Sequence, residues 1–266
     1  MDKSEGAFRV VALGDIVGKA GRRAVVELLD EFRRRNDVDF VVANGENAAG
    51  GKGITDAVVD EILSAGVDVI TSGDHVFGRR EIVARLDNDP RVLRPANLPT
   101  KAAGKGLALL RHGNITVAVI NLIGRTFMPP FADNPYEAAD KLVTEASQFT
   151  KVIIVDFHAE ATSEKVAMGW YLDGRVSLVF GTHTHIQTAD ERILPAGTAY
   201  ITDVGMCGPY DSVIGRKKER ILAHLLTGMP TPFDVANGDV RMCGVVVDVD
   251  PQNGHALQIK RIQERL

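Results

Sequence analysis

Short apolar runs alternate with amphipathic stretches along most of this chain. Phe8 to Gly14 reads as a strand, and Arg22 to Arg35 then places Val25, Val26, Leu28, Leu29 and Phe32 at helical spacing. Phe40 to Ala43 is a second apolar run, followed by a glycine-rich loop from Asn44 to Gly53 and a helical pattern from Thr55 to Ala65. Val67 to Thr71 makes a third strand. This alternation predicts an α/β protein with a mainly parallel sheet covered by helices and joined by right-handed crossovers.

Further along the pattern changes. Leu98 to Gly106 is loop-like, and Leu107 to Arg111 and Thr116 to Asn121 flank a His-Gly-Asn turn, which predicts a hairpin and a mixed sheet. Pro135 to Phe149 is helical, Val152 to Phe157 is a buried strand, and Ser163 is placed to cap a short helix whose face includes Val166 and Trp170. Val176 to Phe180 is the next strand. Short strands near Tyr200, from Val240 to Asp250 and over Leu257 to Ile262 complete the chain, with a helix near Glu219 to Leu226. No repeat or linker divides it, so one domain over residues 1–266 is expected, with 1–6 as a flexible tail.

Composition narrows the function classes. The 266 residues carry 31 basic and 35 acidic side chains, a net charge of −4, which argues against a broad surface for duplex nucleic acid. No apolar run reaches the roughly 18 residues needed to span a bilayer, and the first residues lack the apolar core of a secretory signal. No membrane association and a cytoplasmic location are the expectations. Only Cys207 and Cys243 occur, too few and too far apart for a disulfide framework or a thiolate metal site.

Chemistry gathers just past five strand ends, where open α/β sheets place their sites. Gly14-Asp15 follows the first strand, Asn44-Gly45-Glu46-Asn47 the second and Gly73-Asp74-His75 the third. Asp156-Phe157-His158 and Gly181-Thr182-His183-Thr184-His185 end two later ones. Each element alone has an ordinary explanation. Asp15 could cap a helix, Glu46 and Asn47 could order a turn, and a lone His75 or His158 could be structural. Their recurrence at successive strand ends is what points to metal chemistry, because carboxylates and neutral imidazoles are natural ligands for borderline divalent cations. Two such cations about 3.5–4 Å apart can grip a phosphoryl group and acidify a shared water. Gly14 to Lys19 fails the phosphate-loop spacing GxxxxGK[ST], with Ala20 where a hydroxyl is needed. Gly50-Gly51-Lys52-Gly53 could equally hold an anion or form a turn.

These five segments, together with Thr202-Asp203-Val204-Gly205-Met206-Cys207-Gly208-Pro209-Tyr210-Asp211-Ser212, resemble the YmdB-type calcineurin-like metallophosphoesterases over nearly the whole chain. The resemblance implies a four-layer αββα sandwich of two mixed β-sheets, two metal ions such as iron or manganese, and hydrolysis of phosphodiesters including 2′,3′-cyclic nucleotides. It assigns Asp15, Asn47 and His185 to one metal, Asp74, His158 and His183 to the other, and Glu46 to both. A hydroxide bridging the metals would attack phosphorus while His75 protonates the leaving oxygen. Arg125 is a weaker candidate for contacting the phosphate. A homo-oligomer formed through the C-terminal third is also implied. In one place the chain departs from the family pattern, which usually reads Gly-Asn-His where this chain has Gly73-Asp74-His75. The extra carboxylate is expected to bind cations more tightly, weaken attraction for an anionic substrate, shift metal preference toward an Fe(III)/M(II) pair and raise the His75 pKa. Two other classes share this residue set: a regulatory nucleotide-binding metalloprotein with little turnover, and a metal hydrolase acting on amides.

Overall fold

A computed structural model describes residues 2–128 and 131–266. Its first sheet holds seven strands: β1 (Phe8–Leu13), β2 (Asp15–Ile16), β3 (Phe40–Asn44), β4 (Val69–Thr71), β11 (Met206–Pro209), β12 (Val240–Val249) and β13 (Ala256–Arg265). β1, β3 and β4 run parallel, while β12 lies antiparallel to β1, β11 and β13. The second sheet has the order β5 (Leu107–His112), β6 (Ile115–Ile123), β7 (Val152–His158), β8 (Leu178–Thr182), β10 (Ala199–Ile201), β9 (Arg192–Ile193). Its four central strands are parallel and both edge pairs are antiparallel hairpins.

Period-two alternation explains how the sheets stack. Phe8, Val10 and Ala12 of β1 share a core with Val117, Val119, Ile154 and Phe180 of the second sheet, so this is the interface between sheets. Val11 and Leu13 face the other way, onto helices α1 (Gly18–Asn36), α2 (Asp56–Ser64) and α3 (Ile82–Asn88). The outer face of the second sheet, with Ile120, Val155 and Val179, is covered by α4 (Pro135–Ala146) and α5 (Thr162–Leu172). The chain is therefore the four-layer αββα sandwich of two mixed sheets. A last helix, α6 (Lys218–Thr227), buries none of its residues. Among the described residues no helix is long and apolar enough to cross a membrane.

Several local expectations change. α1 begins at Gly18 rather than Arg22, because Gly18, Ala20 and Gly21 form its buried face. A Cβ at Gly21 would lie 2.1 Å from the Cys207 carbonyl oxygen, so residues that read as loop pack a turn of the helix directly against a neighbouring backbone. Ser163 does not cap α5; Ala161 precedes the helix without a side-chain cap. Trp170 is 51% exposed, under the Arg192 guanidinium, and the helix instead buries Lys165, Met168, Gly169 and Leu172. Tyr200 packs so closely on Gly169 that a Cβ there would come within 2.4 Å. The segment expected to be a tail is bonded to the body: Lys3 Nζ lies 2.7 Å from Asp39 Oδ2, and Ser4 N donates to Asp248 Oδ2 at 2.8 Å.

Candidate metal centre

The two sheets point the carboxyl ends of their parallel strands to one place. Asp15 follows β1, Glu46 and Asn47 follow β3, and Asp74 and His75 follow β4. From the facing sheet come His158, the last residue of β7, and His183 and His185 after β8. Ligand-bearing oxygens and nitrogens of Glu46, Asp74, His158 and His183 all lie within 4.8 Å of one another. His158 Nε2 sits 3.4 Å from Glu46 Oε2, 3.2 Å from Asp74 Oδ1 and 3.1 Å from His183 Nδ1. On the other side of Glu46, Asn47 Nδ2 is 3.5 Å from His185 Nε2, and Asp15 Oδ1 lies 3.8 Å from that same nitrogen. All seven side chains assigned to metals from the resemblance are thus brought together, with His75 beside them.

The surroundings fix which ring nitrogen of each histidine faces inward. Asn44 and Thr71 donate to Asp156 Oδ2, and Thr182 Oγ1 donates to Asp156 Oδ1 at 2.7 Å. The Thr182 oxygen is then free to accept from His158 Nδ1–H at 2.9 Å, which leaves Nε2 as the inward atom. His185 Nδ1–H donates to the Ile214 carbonyl at 2.9 Å, again leaving Nε2. In His183 the order is reversed: Nε2 lies 3.1 Å from Glu160 Oε2, and Nδ1 faces the cluster.

Backbone strain is part of the arrangement. His183 and His185 have φ of 96° and 64°, left-handed values that cost on the order of 1–3 kcal/mol each for a non-glycine residue. Asp203 holds them there. Its Oδ2 accepts from the Thr184 hydroxyl at 2.7 Å and the Thr184 N–H at 3.2 Å, and it pairs with the buried Lys165 ammonium at 2.7 Å. Its Oδ1 accepts from Gly205 N–H, whose own carbonyl accepts from Asp15 N–H. This is the structural work of the Thr202 to Ser212 segment. Asp156, Glu160, Lys165 and Asp203 had no assigned role in sequence reasoning. Asp156 and Asp203 lie in segments that carry the resemblance and Glu160 and Lys165 follow His158, but nothing local marks any of them as a support.

Whether the donor set suits cations can be read from its electrostatics. Asp15 Oδ1 is buried and has no hydrogen-bond partner among the described residues, an arrangement tolerated when a cation serves as the partner. Burial foremost raises the Asp15 pKa, against the pull of His185 and His158. Burial by itself would raise Glu46 too, yet the charge and hydrogen bonds of His158 and His75 hold it well below the usual carboxylate range. Burial would lower His158, but Glu46, Asp74 and Asp15 lift it well above the ordinary histidine value. Such concentrated negative potential with inward lone pairs fits metal ions. Burial also pushes Asp156 up to about 7. Gly73 keeps the cluster tight, since a Cβ there would lie 2.1 Å from the His158 ring and 2.4 Å from Glu46.

The centre opens into a cavity of about 370 Å³ bordered by His75, Glu160, His183, His185, Ile214 and Arg216. Arg125 is elsewhere: it lines a separate recess with Thr126, Asn134, Pro135, Tyr136 and Glu164, and its backbone N–H is bonded to Glu164. The arginine at the cavity is Arg216, which donates to the carbonyls of Gly51 and Phe233.

Fold and site together define a phosphoric ester hydrolase of the metallophosphoesterase class. The family model described as YmdB-like protein matches residues 11–262, and the chain belongs to that family. A 2′,3′-cyclic-nucleotide 2′-phosphodiesterase of Bacillus subtilis (strain 168) is 48% identical over 255 residues, covering 96% of each chain. A hypothetical protein from Thermus thermophilus has a crystal structure similar to this one with a TM-score of 0.91 at 41% identity, covering 97% of this chain and 99% of that one. A structure of a novel phosphatase from Mycoplasma pneumoniae matches with the same TM-score at 35% identity, covering 97% and 94%.

Proposed function

We propose that this protein is a dinuclear metal-dependent phosphodiesterase acting on a small phosphodiester, a 2′,3′-cyclic nucleotide in the first instance. The observation that carries the reading is the convergence of Glu46, Asp74, His158 and His183 from two sheets, beside an Asp15 oxygen that is buried and has no hydrogen-bond partner among the described residues. Asp15, Asn47 and His185 would hold one cation, Asp74, His158 and His183 the other, and Glu46 both. The 48% identity to a 2′,3′-cyclic-nucleotide 2′-phosphodiesterase supports the substrate class. Iron and manganese fit the mixed imidazole and carboxylate donors.

When bound, paired cations supply Lewis acidity: they make a shared water nucleophilic near neutral pH and offset charge on the phosphoryl oxygens. The protein's own groups do the rest. His75 borders the cavity and has a carboxylate near each ring nitrogen, Glu46 Oε1 at 3.1 Å and Asp74 Oδ2 at 3.6 Å. The Glu46 hydrogen bond first, and then the charges of Glu46 and Asp74, raise its pKa, so the proton-bearing form persists at higher pH. That form can protonate a departing sugar oxygen. The effect expected of Asp74 on His75 therefore has a geometric basis, but Glu46 dominates it.

Metal analysis of the purified protein, beside a panel of phosphomonoesters and linear and cyclic phosphodiesters, tests the reading. Two equivalents of metal and metal-dependent conversion of 2′,3′-cAMP to a nucleoside monophosphate are expected. Activity on phosphomonoesters or amides alone would overturn it, and tight nucleotide binding without turnover would indicate a sensor. Asp74→Asn is expected to lose metal to a chelator faster than the wild type and to show a different pH–rate profile. Indistinguishable metal retention and profiles would remove any special role for this acidic residue. The homo-oligomer proposed for the C-terminal third finds support in α6, whose Leu222, Leu225 and Leu226 are exposed.

A further inference from the structure

A second cavity, of about 300 Å³, adjoins the cluster and differs from the first in chemistry. Asp74 belongs to its wall and to the metal-ligand group alike. Asp74 is also the only polar side chain among its described lining residues; Phe77, Leu98, Ile123 and Phe131 make most of the rest. Phe77 is 42% exposed and Phe131 75%, so two phenyl rings border an open apolar recess next to an ionic centre. Scattered exposed aromatics need no explanation, whereas two on one concave apolar surface make a candidate binding site.

We propose that this recess is a nucleobase subsite, with Phe77 and Phe131 as its stacking surfaces. The inference rests on the reading of the substrate as a cyclic nucleotide, and chemistry joins the two. In a 2′,3′-cyclic nucleotide the base is carried by the carbon next to the one bearing the 2′-oxygen. A group that protonates that oxygen must therefore lie near the base. His75 is the proposed donor, and Phe77 is two residues further along the same loop. A ligand with an anionic end and a flat apolar end would span the cluster and the recess across their common residue, Asp74. Because the lining offers almost no side-chain donors or acceptors, recognition by stacking accepts any base, and purines are favoured over pyrimidines by their larger faces.

The test compares kcat/KM for 2′,3′-cAMP, 2′,3′-cCMP and the base-free methyl riboside 2,3-cyclic phosphate in the metal-loaded protein. Wild type is expected to prefer the nucleotides. Phe77→Ala should lower the ratio of nucleotide to base-free kcat/KM by about 5- to 150-fold, the range for losing one base–aromatic stack, and Phe77→Trp should preserve it. Phe131→Ala should lower the same ratio. A wild-type ratio near one, or a ratio unmoved by both alanine variants, overturns the subsite while leaving the phosphodiesterase reading intact. If wild type hydrolyses none of the three, the functional reading fails. Calorimetric binding of adenosine 3′-monophosphate against ribose 3-phosphate then decides the subsite: a preference for the nucleotide that Phe77→Ala abolishes supports it, and equal binding overturns it.

Discussion

His75→Ala is expected to lower kcat by about 100- to 10,000-fold, the usual worth of a positioned general acid, while metal content stays at the wild-type level. The second half of this expectation matters as much as the first. His75 lies against Glu46 and Asp74 but stands outside the group of Glu46, Asp74, His158 and His183 whose donor atoms converge. Removing its ring should leave that group able to hold metal. Activity should depend on its protonated form, so the rate falls as pH rises through the His75 pKa. The alanine variant should lack this limb. A substrate whose leaving group needs no proton, such as a p-nitrophenyl phosphodiester, should be much less affected. Full activity of His75→Ala on 2′,3′-cAMP, or loss of its metal, would remove the assigned role.

Separating Arg9 from Asp248 is expected to destabilise the fold by roughly 3–5 kcal/mol, the cost of stranding one charge of a buried pair. The two residues are direct neighbours across β1 and β12, and both side chains are almost wholly buried. Arg9 Nε and Nη2 donate to the two Asp248 oxygens at 2.6 and 2.9 Å, and Nη1 donates to the Asn36 carbonyl at the end of α1. Arg9 shares the helix-facing side of β1 with Val11 and Leu13, so the guanidinium ties sheet to helix layer. Denaturant titration of Asp248→Asn and Arg9→Met should each show the loss, whereas the double replacement Arg9→Met with Asp248→Leu should recover much of it. A loss below about 1 kcal/mol in both single variants would show that the pair is energetically idle.

The same pair predicts an acid limb of stability. Burial alone would raise the Asp248 carboxyl, but the hydrogen bonds from Arg9 and Ser4 and the Arg9 charge hold it below the usual range. A depressed carboxylate contributes fully above its unfolded pKa of about 3.9, and the contribution is lost as pH falls through the lower, folded value. Wild type should therefore lose more stability than Asp248→Asn as pH drops from about 5 to below the folded pKa.

Much of this molecule could be read along the chain. Near-continuous apolar runs marked β1, β3 and β7, because a strand covered on both faces has few polar positions. The ligand residues were legible for a related reason: each lies at or within three residues of the end of such a strand, and glycines beside Asp15, Glu46 and Asp74 permit tight turns. Asp15, Glu46, Asp74, His158 and His183 therefore announced metal chemistry before any contact among them was known. Local sequence also misled, at Gly18 to Gly21 and at Ser163. Small residues that fit a helix against a neighbouring backbone have the composition of a loop, and a serine is a cap only where the preceding chain geometry allows it.

Tertiary structure alone decided the rest. Which five loops meet is a property of two sheets whose parallel strands end at one edge, and no spacing along the chain encodes the distances that result. The supports are equally hidden: Asp156 under His158, Glu160 behind His183 and Asp203 beneath Thr184 act through contacts made by folding, with sequence separations that no local rule connects. Arg125 and Arg216 make the same point, since charge and residue type are identical and only position in space sets one in a remote recess and the other at the cavity. Sequence determined the layers and the kinds of ligand; packing of sheet on sheet, a long-range event, determined which atoms face one another.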